Sequence, residues 1–172
     1  MPFVHRYEYH KTKCYQLAKE SEKMATIFDV ASYILSKQGT MTTMKLEKLC
    51  YYSQAWSLVW DERPLFNEEF QAWANGPVCP KLYHEHKGLF RIEKGGIPGD
   101  PDAINKDGKE TIDAVLKHYA PMSAYQLSEL THHESPWLDA RGGLKEGERC
   151  NAVITNSAMA EYYGSFTDNH GA

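Results

Sequence analysis

The sequence predicts a mainly α fold: a compact single-domain helical bundle of about six helices with a small β element. Three observations carry this. Apolar residues recur at i, i+3, i+4 and i+7 in several separate stretches, the signature of a one-sided helix. Proline and glycine punctuate the chain between those stretches. Only one short segment alternates as a half-buried strand would.

Residues 1–20 are aromatic and charged without a period, and read as an N-terminal arm too short for a DNA-binding domain of its own. The domain proper is expected over 21–167, with a frayed tail at 168–172. The first helix is expected at 24–38, where Ile27, Val30, Ala31, Ile34 and Leu35 form one stripe. Gly39 suits its C-terminal cap. Thr42 or Thr43 can cap the next helix, 44–60. Its stripe of Leu46, Leu49, Cys50, Trp56 and Trp60 is widened by Tyr52, Ala55 and Val59. Such width places this helix at the centre of the core. Pro64 is expected to end it.

A short strand is expected at 69–74. Gly76-Pro77 and Cys79-Pro80 then make a stiff connector, because the residue before a proline avoids helix. Pro80 suits the first position of a helix over 80–87, closed by Gly88. Residues 88–108 carry the turn dipeptides Gly95-Gly96, Pro98-Gly99 and Asp100-Pro101. They read as a mobile surface loop, with a strand at Leu89 to Ile92 and a hairpin through the glycines. Helix 109–120 follows, with Asp107 and Glu110 fitting the cap and Ile112, Val115, Leu116 and Tyr119 the stripe. Ser123 and Gln126 form a capping box for helix 124–133. Pro136 is expected to break the chain and Trp137 to pack back on the core. A last helix is expected at 156–164.

Composition narrows the function classes. At 172 residues, 42% hydrophobic and 24% charged, the chain is ordinary globular protein. A net charge of −4 argues against a broad phosphate-binding face. Cys14, Cys50, Cys79 and Cys150 contain no C-x-x-C pair, so zinc-ribbon and thioredoxin readings lack support. No apolar run approaches the ~18 residues of a membrane span. The N-terminus is too polar for a signal peptide, so a cytoplasmic protein is expected.

Candidate chemistry is sparse. His84 and His86 stand two apart, and on a helix such residues point away from each other. They read as surface or partly buried helix residues. His132-His133-Glu134 lacks the H-E-x-x-H spacing that puts two imidazoles on one face, and its place at a helix end suits a bond to the last carbonyls. Cys50 lies on an apolar stripe and nothing lowers the pKa of Cys79. No metal, cofactor or catalytic residue is expected, and the chain reads as a binding protein, not an enzyme. Tyr51 and Trp73 fall off their apolar patterns and Tyr and Trp are common interface anchors. Gln54 sits among the aromatics and could bridge a contact.

The residues Thr43-Met44-Lys45-Leu46-x-Lys48-Leu49-x-Tyr51-Tyr52-x-Gln54-Ala55-Trp56, Pro64-Leu65-Phe66, Ala72-Trp73-x-x-Gly76-Pro77-Val78-x-Pro80-x-Leu82-Tyr83 and Leu127-Ser128-x-Leu130-Thr131-His132-x-Glu134-x-Pro136-Trp137 resemble the Panacea domain, also described as SocA-like or GepA-type. The resemblance spans about 24–165. It implies a mainly helical antitoxin of a bacterial or prophage toxin–antitoxin pair, neutralising a protein toxin encoded nearby by direct stoichiometric binding. One member of that family is instead a proteolytic adaptor for the ClpXP protease, so delivery to an AAA+ protease is the alternative. Many members carry N-terminal DNA-binding modules; residues 1–20 offer none, so nucleic acid is not the expected partner. Tyr51, Gln54, Trp73, Tyr83 and His133 are the candidate toxin contacts, joined by the 89–108 loop and the arm. Lys45, Gly76, Pro77, Pro80, His132 and Trp137 are expected to shape the platform. A small hydrolase using His132, His133 and Cys79, and a transcriptional regulator, are the remaining alternatives.

Overall fold

The computed structural model describes residues 23–168; the expected N-terminal arm and the end of the tail lie outside them. Among the described residues six α-helices surround a seventh, central one, and there are two small sheets. The first, α1, spans Ile27–Gln38. It starts with its apolar stripe, three residues later than the expected residue 24, because Thr26 and Asp29 close a reciprocal capping box. Gly39 leaves the helix at φ +74°.

Helix α2, Thr43–Trp60, is the centre. Thr42 accepts from the Lys45 amide at 3.2 Å, capping it. Twelve of its eighteen residues are buried, polar ones included. Trp60 departs from the expectation at 47% exposed: α2 outruns the core by its last turn, and Trp60 stacks on Trp56 at the surface. The helix ends at Asp61, before Pro64, in a turn where Glu62 takes φ 53°.

The expected strand is β2, Phe70–Trp73, the middle of a sheet ordered β3-β2-β5 with β3 at Gly76–Val78 and β5 at Val153–Ile154. All pairings are antiparallel; Trp73 faces Gly76 and Phe70 faces Ile154. Phe70 and Ala72 turn into the core, as period-two burial requires. Helix α3, Pro80–His86, begins on Pro80 as expected.

The 88–108 segment overturns part of its reading. No hairpin forms through Gly95-Gly96; β4, Arg91–Ile92, pairs instead with β1, Met41–Thr42. Ile92, Ile97 and Ile104 are all buried and tie the segment down. A 3₁₀ turn at Pro101–Ala103 packs beside α1, where Gly99 allows the chains to touch: a Cβ there would fall 2.1 Å from the Phe28 carbonyl oxygen.

Helix α4, Lys106–Tyr119, is capped by Asn105 and not by Asp107, since the Asn105 side chain accepts from Gly108 N at 2.8 Å. Asp107 instead meets Arg63 at 3.2 Å. Helix α5, Ala124–His132, has the predicted Ser123–Gln126 capping box. Pro136 does not break the chain: it sits in the first turn of α6, Ser135–Arg141, where its missing N–H costs nothing. Helix α7, Asn156–Asp168, packs against α2, as does α4. None of the described helices is long and apolar enough to cross a membrane.

Candidate functional site

An open groove of about 930 Å³ runs between the start of α2, the β2–β3 hairpin, α3 and residues 149–151. Its floor consists of charged side chains that the apolar pattern of α2 gives no reason to bury. Glu47 is 2% exposed and Lys48 is 1% exposed. The Glu47 carboxylate accepts from Cys79 N at 2.9 Å with one oxygen. With the other it accepts from His86 Nε2 at 2.8 Å. The α2 backbone is thereby tied to the first turn and the last turn of α3, and His86 is buried, against its expectation as a surface or partly buried residue.

Lys48 Nζ donates to the Pro77 carbonyl at 3.1 Å. Burial pushes its pKa down to about 8, and the neighbouring Glu47 charge offsets part of that shift. Gly76 lies directly over Lys48 at φ +107°. A Cβ there would fall 2.5 Å from Lys48 Cε and 2.8 Å from Thr131 Oγ1. Glycine is required twice at this position, by its backbone angle and by the close approach. Ser128 Oγ donates to the Asn75 carbonyl at 2.6 Å, fixing the same turn to α5.

The walls are aromatic. Trp73 and Tyr83 meet edge to face with centroids 4.9 Å apart. Trp73 Nε1 donates to Gln71 Oε1 at 2.8 Å, and Trp137 Nε1 donates to the Trp73 carbonyl at 2.8 Å. At one end Thr43 donates through its amide to the Phe90 carbonyl and through its hydroxyl to the Leu89 carbonyl, both at 3.1 Å. Leu89 and Phe90 are therefore held beside the groove with their side chains in solvent, 53% and 77% exposed. Met44 adds a further exposed apolar side chain.

Of the five candidate contacts, Trp73 and Tyr83 share this groove. His133 is exposed at the end of α5, outside the groove lining, its Nδ1 2.8 Å from the Glu129 carbonyl. Tyr51 and Gln54 are corrections. Tyr51 is fully buried against Tyr52 and Phe70, and its hydroxyl lies 3.3 Å from the Tyr163 hydroxyl. Gln54 is 1% exposed; it donates to the Phe66 carbonyl at 2.9 Å and accepts from Leu65 N at 2.8 Å, fastening the segment after α2. Neither can present its side chain to a partner. Both lie off the stripe, but α2 is wrapped on nearly every side, so leaving the stripe does not lead to solvent.

The other named residues have definite places. Lys45 Nζ donates to the Ala120 carbonyl at 2.6 Å, where the end of α4 has unpaired carbonyls and a negative dipole end. Pro77 occupies β3 and Pro80 opens α3. The half-buried His132 ring stacks on Trp137 with centroids 4.2 Å apart, and burial lowers its pKa. Trp137 packs on the core at 4% exposure, as expected.

Sequence reasoning passed over Glu134 as a core group. Its carboxylate accepts from Tyr52 at 3.0 Å and Tyr163 at 2.5 Å, and burial raises its pKa to about 7 against the pull of those two bonds. Cys79 gives the hydrolase alternative no help: it is fully buried, and desolvation pushes the thiol up to about 11.

Residues 46–138, which hold most of α2 and all of β2, β3 and α3, match the family described as Antitoxin SocA-like, Panacea domain. The chain is also similar to Antitoxin SocA of Caulobacter vibrioides (strain NA1000 / CB15N), at 32% identity across 63% of this chain and 66% of that protein. The aligned part thus falls just short of two-thirds of the relative's length. No solved structure matches. With more than half of its residues matched, and with the Gly76-Pro77 turn, the buried Lys48 and the wall residues Trp73 and Tyr83 all inside the matched span, the chain belongs to the SocA-like Panacea antitoxin domain family.

Proposed function

We propose that the chain is an antitoxin that neutralises a protein toxin by direct, stoichiometric binding, the toxin being encoded nearby. The observation that carries this reading is the groove: Trp73 and Tyr83 on its wall, Met44, Leu89 and Phe90 exposed beside it, and a floor fixed by Glu47 and Lys48. Exposed apolar side chains grouped beside an aromatic-lined concavity mark protein contact surfaces. The fixed floor adds preorganisation, which reduces what association costs in ordering. The mechanism is occlusion of the toxin without turnover. A stable complex of this kind buries roughly 1,200–2,000 Å² in total. The net charge of −4 favours encounter with a basic toxin.

The test is co-expression with the toxin, scored by growth rescue and by co-purification. A stoichiometric complex that survives gel filtration is expected, together with its loss in Phe90→Asp and Tyr83→Ala. Rescue without any complex, present only in a host whose ATP-dependent proteases are intact, overturns direct neutralisation in favour of protease delivery.

A further inference from the structure

We infer that Glu129, His132 and Glu146 form a binding site for one divalent transition-metal ion, with zinc the best match. Glu129 and His132 stand three apart on α5 and so share a face. Glu146 comes from the turn that follows α6, and ligand atoms of the three side chains lie within 4.8 Å of one another. Local spacing could not show this, because the third ligand is fourteen residues beyond the second.

Three features separate this cluster from an ordinary acidic surface. First, neither ring nitrogen of His132 has a hydrogen-bond partner among the described residues. Nε2 is buried and unpaired, and Nδ1 stands 3.7 Å from Glu129 Oε1, beyond bonding distance. Second, among the described residues no lysine or arginine lies within ion-pair distance of Glu129 or Glu146. Two carboxylates therefore converge on the imidazole without a direct lysine or arginine partner, while the charges of Lys48 and Arg141 act on the same ring. Third, the supports are rigid. The His132 ring is stacked on Trp137, and Arg141 donates to the carbonyls of Lys145 at 3.1 Å and Glu148 at 2.7 Å, on either side of Glu146.

One nitrogen and two carboxylate oxygens suit zinc, with bonds of about 2.0–2.2 Å and a fourth position open to water or to a partner's side chain. Closing the present spacing to a tetrahedron takes rotamer shifts of about an ångström. The ion would pin the 142–149 turn to α5. Arg149, Cys150 and Asn151 follow that turn directly and line the groove, so occupancy would stiffen one groove wall. The inference does not depend on the toxin-binding reading.

Isothermal titration of the full chain with zinc chloride tests it, using Glu146→Gln, Glu129→Gln and the double variant. Glu146 is exposed on a turn, so its variant keeps the fold. One equivalent is expected to bind the native chain, with affinity reduced roughly 10–100-fold in each single variant and binding lost in the double. Zinc should raise the melting temperature of the native chain and leave that of the double variant unchanged. Absence of zinc binding by the native chain overturns the site, and so does binding of native strength in the double variant.

Discussion

Lys48 reaches across twenty-nine residues of sequence to donate to the carbonyl of Pro77, and the space it fills is the space a side chain at position 76 would need. The two residues form one unit: the lysine satisfies a carbonyl at the sheet edge, and the glycine leaves room for it. Gly76→Ala should destabilise the fold by about 3 kcal/mol in urea denaturation, from the strained φ and the contact with Lys48 together. In a Lys48→Ala background the clash with the lysine disappears, while the contact with Thr131 and the backbone part remain. The double-mutant cycle should therefore give a coupling of about 1–2 kcal/mol. Strict additivity would show that the contact is unimportant.

Glu47 bridges Cys79 N and His86 with both oxygens while almost wholly buried. Glu47→Ala should cost about 3–5 kcal/mol, because it leaves a buried donor and an imidazole without their acceptor. Glu47→Gln keeps one acceptor oxygen and should cost less. Equal losses in the two variants, read from denaturant midpoints, would mean that the carboxylate is not what ties α3 to α2.

The pH dependence of stability should carry the mark of Glu134. Its folded-state pKa is raised from 4.5 to about 7. Between those values the native chain holds a proton that the unfolded chain has released, so stability falls as pH rises through this window and levels off above it. The full effect is about 3 kcal/mol. Glu134→Gln should flatten that part of the profile, measured as urea midpoints between pH 4.5 and 7.5. An unchanged slope would assign it to another group.

Tyr51 and Phe90 should separate folding from recognition. Tyr51→Ala removes a fully buried ring and should cost about 3–5 kcal/mol. Phe90→Asp changes a side chain that is 77% exposed and should alter stability by no more than about 0.5 kcal/mol, yet abolish toxin neutralisation. A normal melting temperature combined with full neutralisation in Phe90→Asp would move the contact surface away from the groove.

What the sequence made legible was local. The α1 stripe, the Ser123–Gln126 box, Pro80 at a helix start and the Phe70–Trp73 strand each follow from residues within a few positions of one another. What it hid depends on distant partners. Gly95-Gly96 looked like a hairpin turn until β1 claimed β4. Nothing local marked Glu47 and Lys48 as buried, and His86 read as surface or partly buried, because their partners lie twenty-nine or more residues away. The same effect reversed Tyr51 and Gln54: an apolar stripe reports one buried face and cannot report that a helix is enclosed on the others. Trp73 and Tyr83 meet on the groove wall because both flank the stiff Gly-Pro and Cys-Pro connector, whose geometry is local.

The enclosure of α2 also bears on how such a domain can change allegiance over evolutionary time. A replacement within that helix disturbs several packed layers together and is eliminated as a folding defect before its effect on recognition is ever exposed to selection. On the proposed reading, drift toward a new adversary is left to the few side chains at the groove mouth, such as Met44, Leu89 and Phe90, which can vary without consulting the interior. On that reading one frame can meet a succession of opponents at the expense of a handful of surface substitutions.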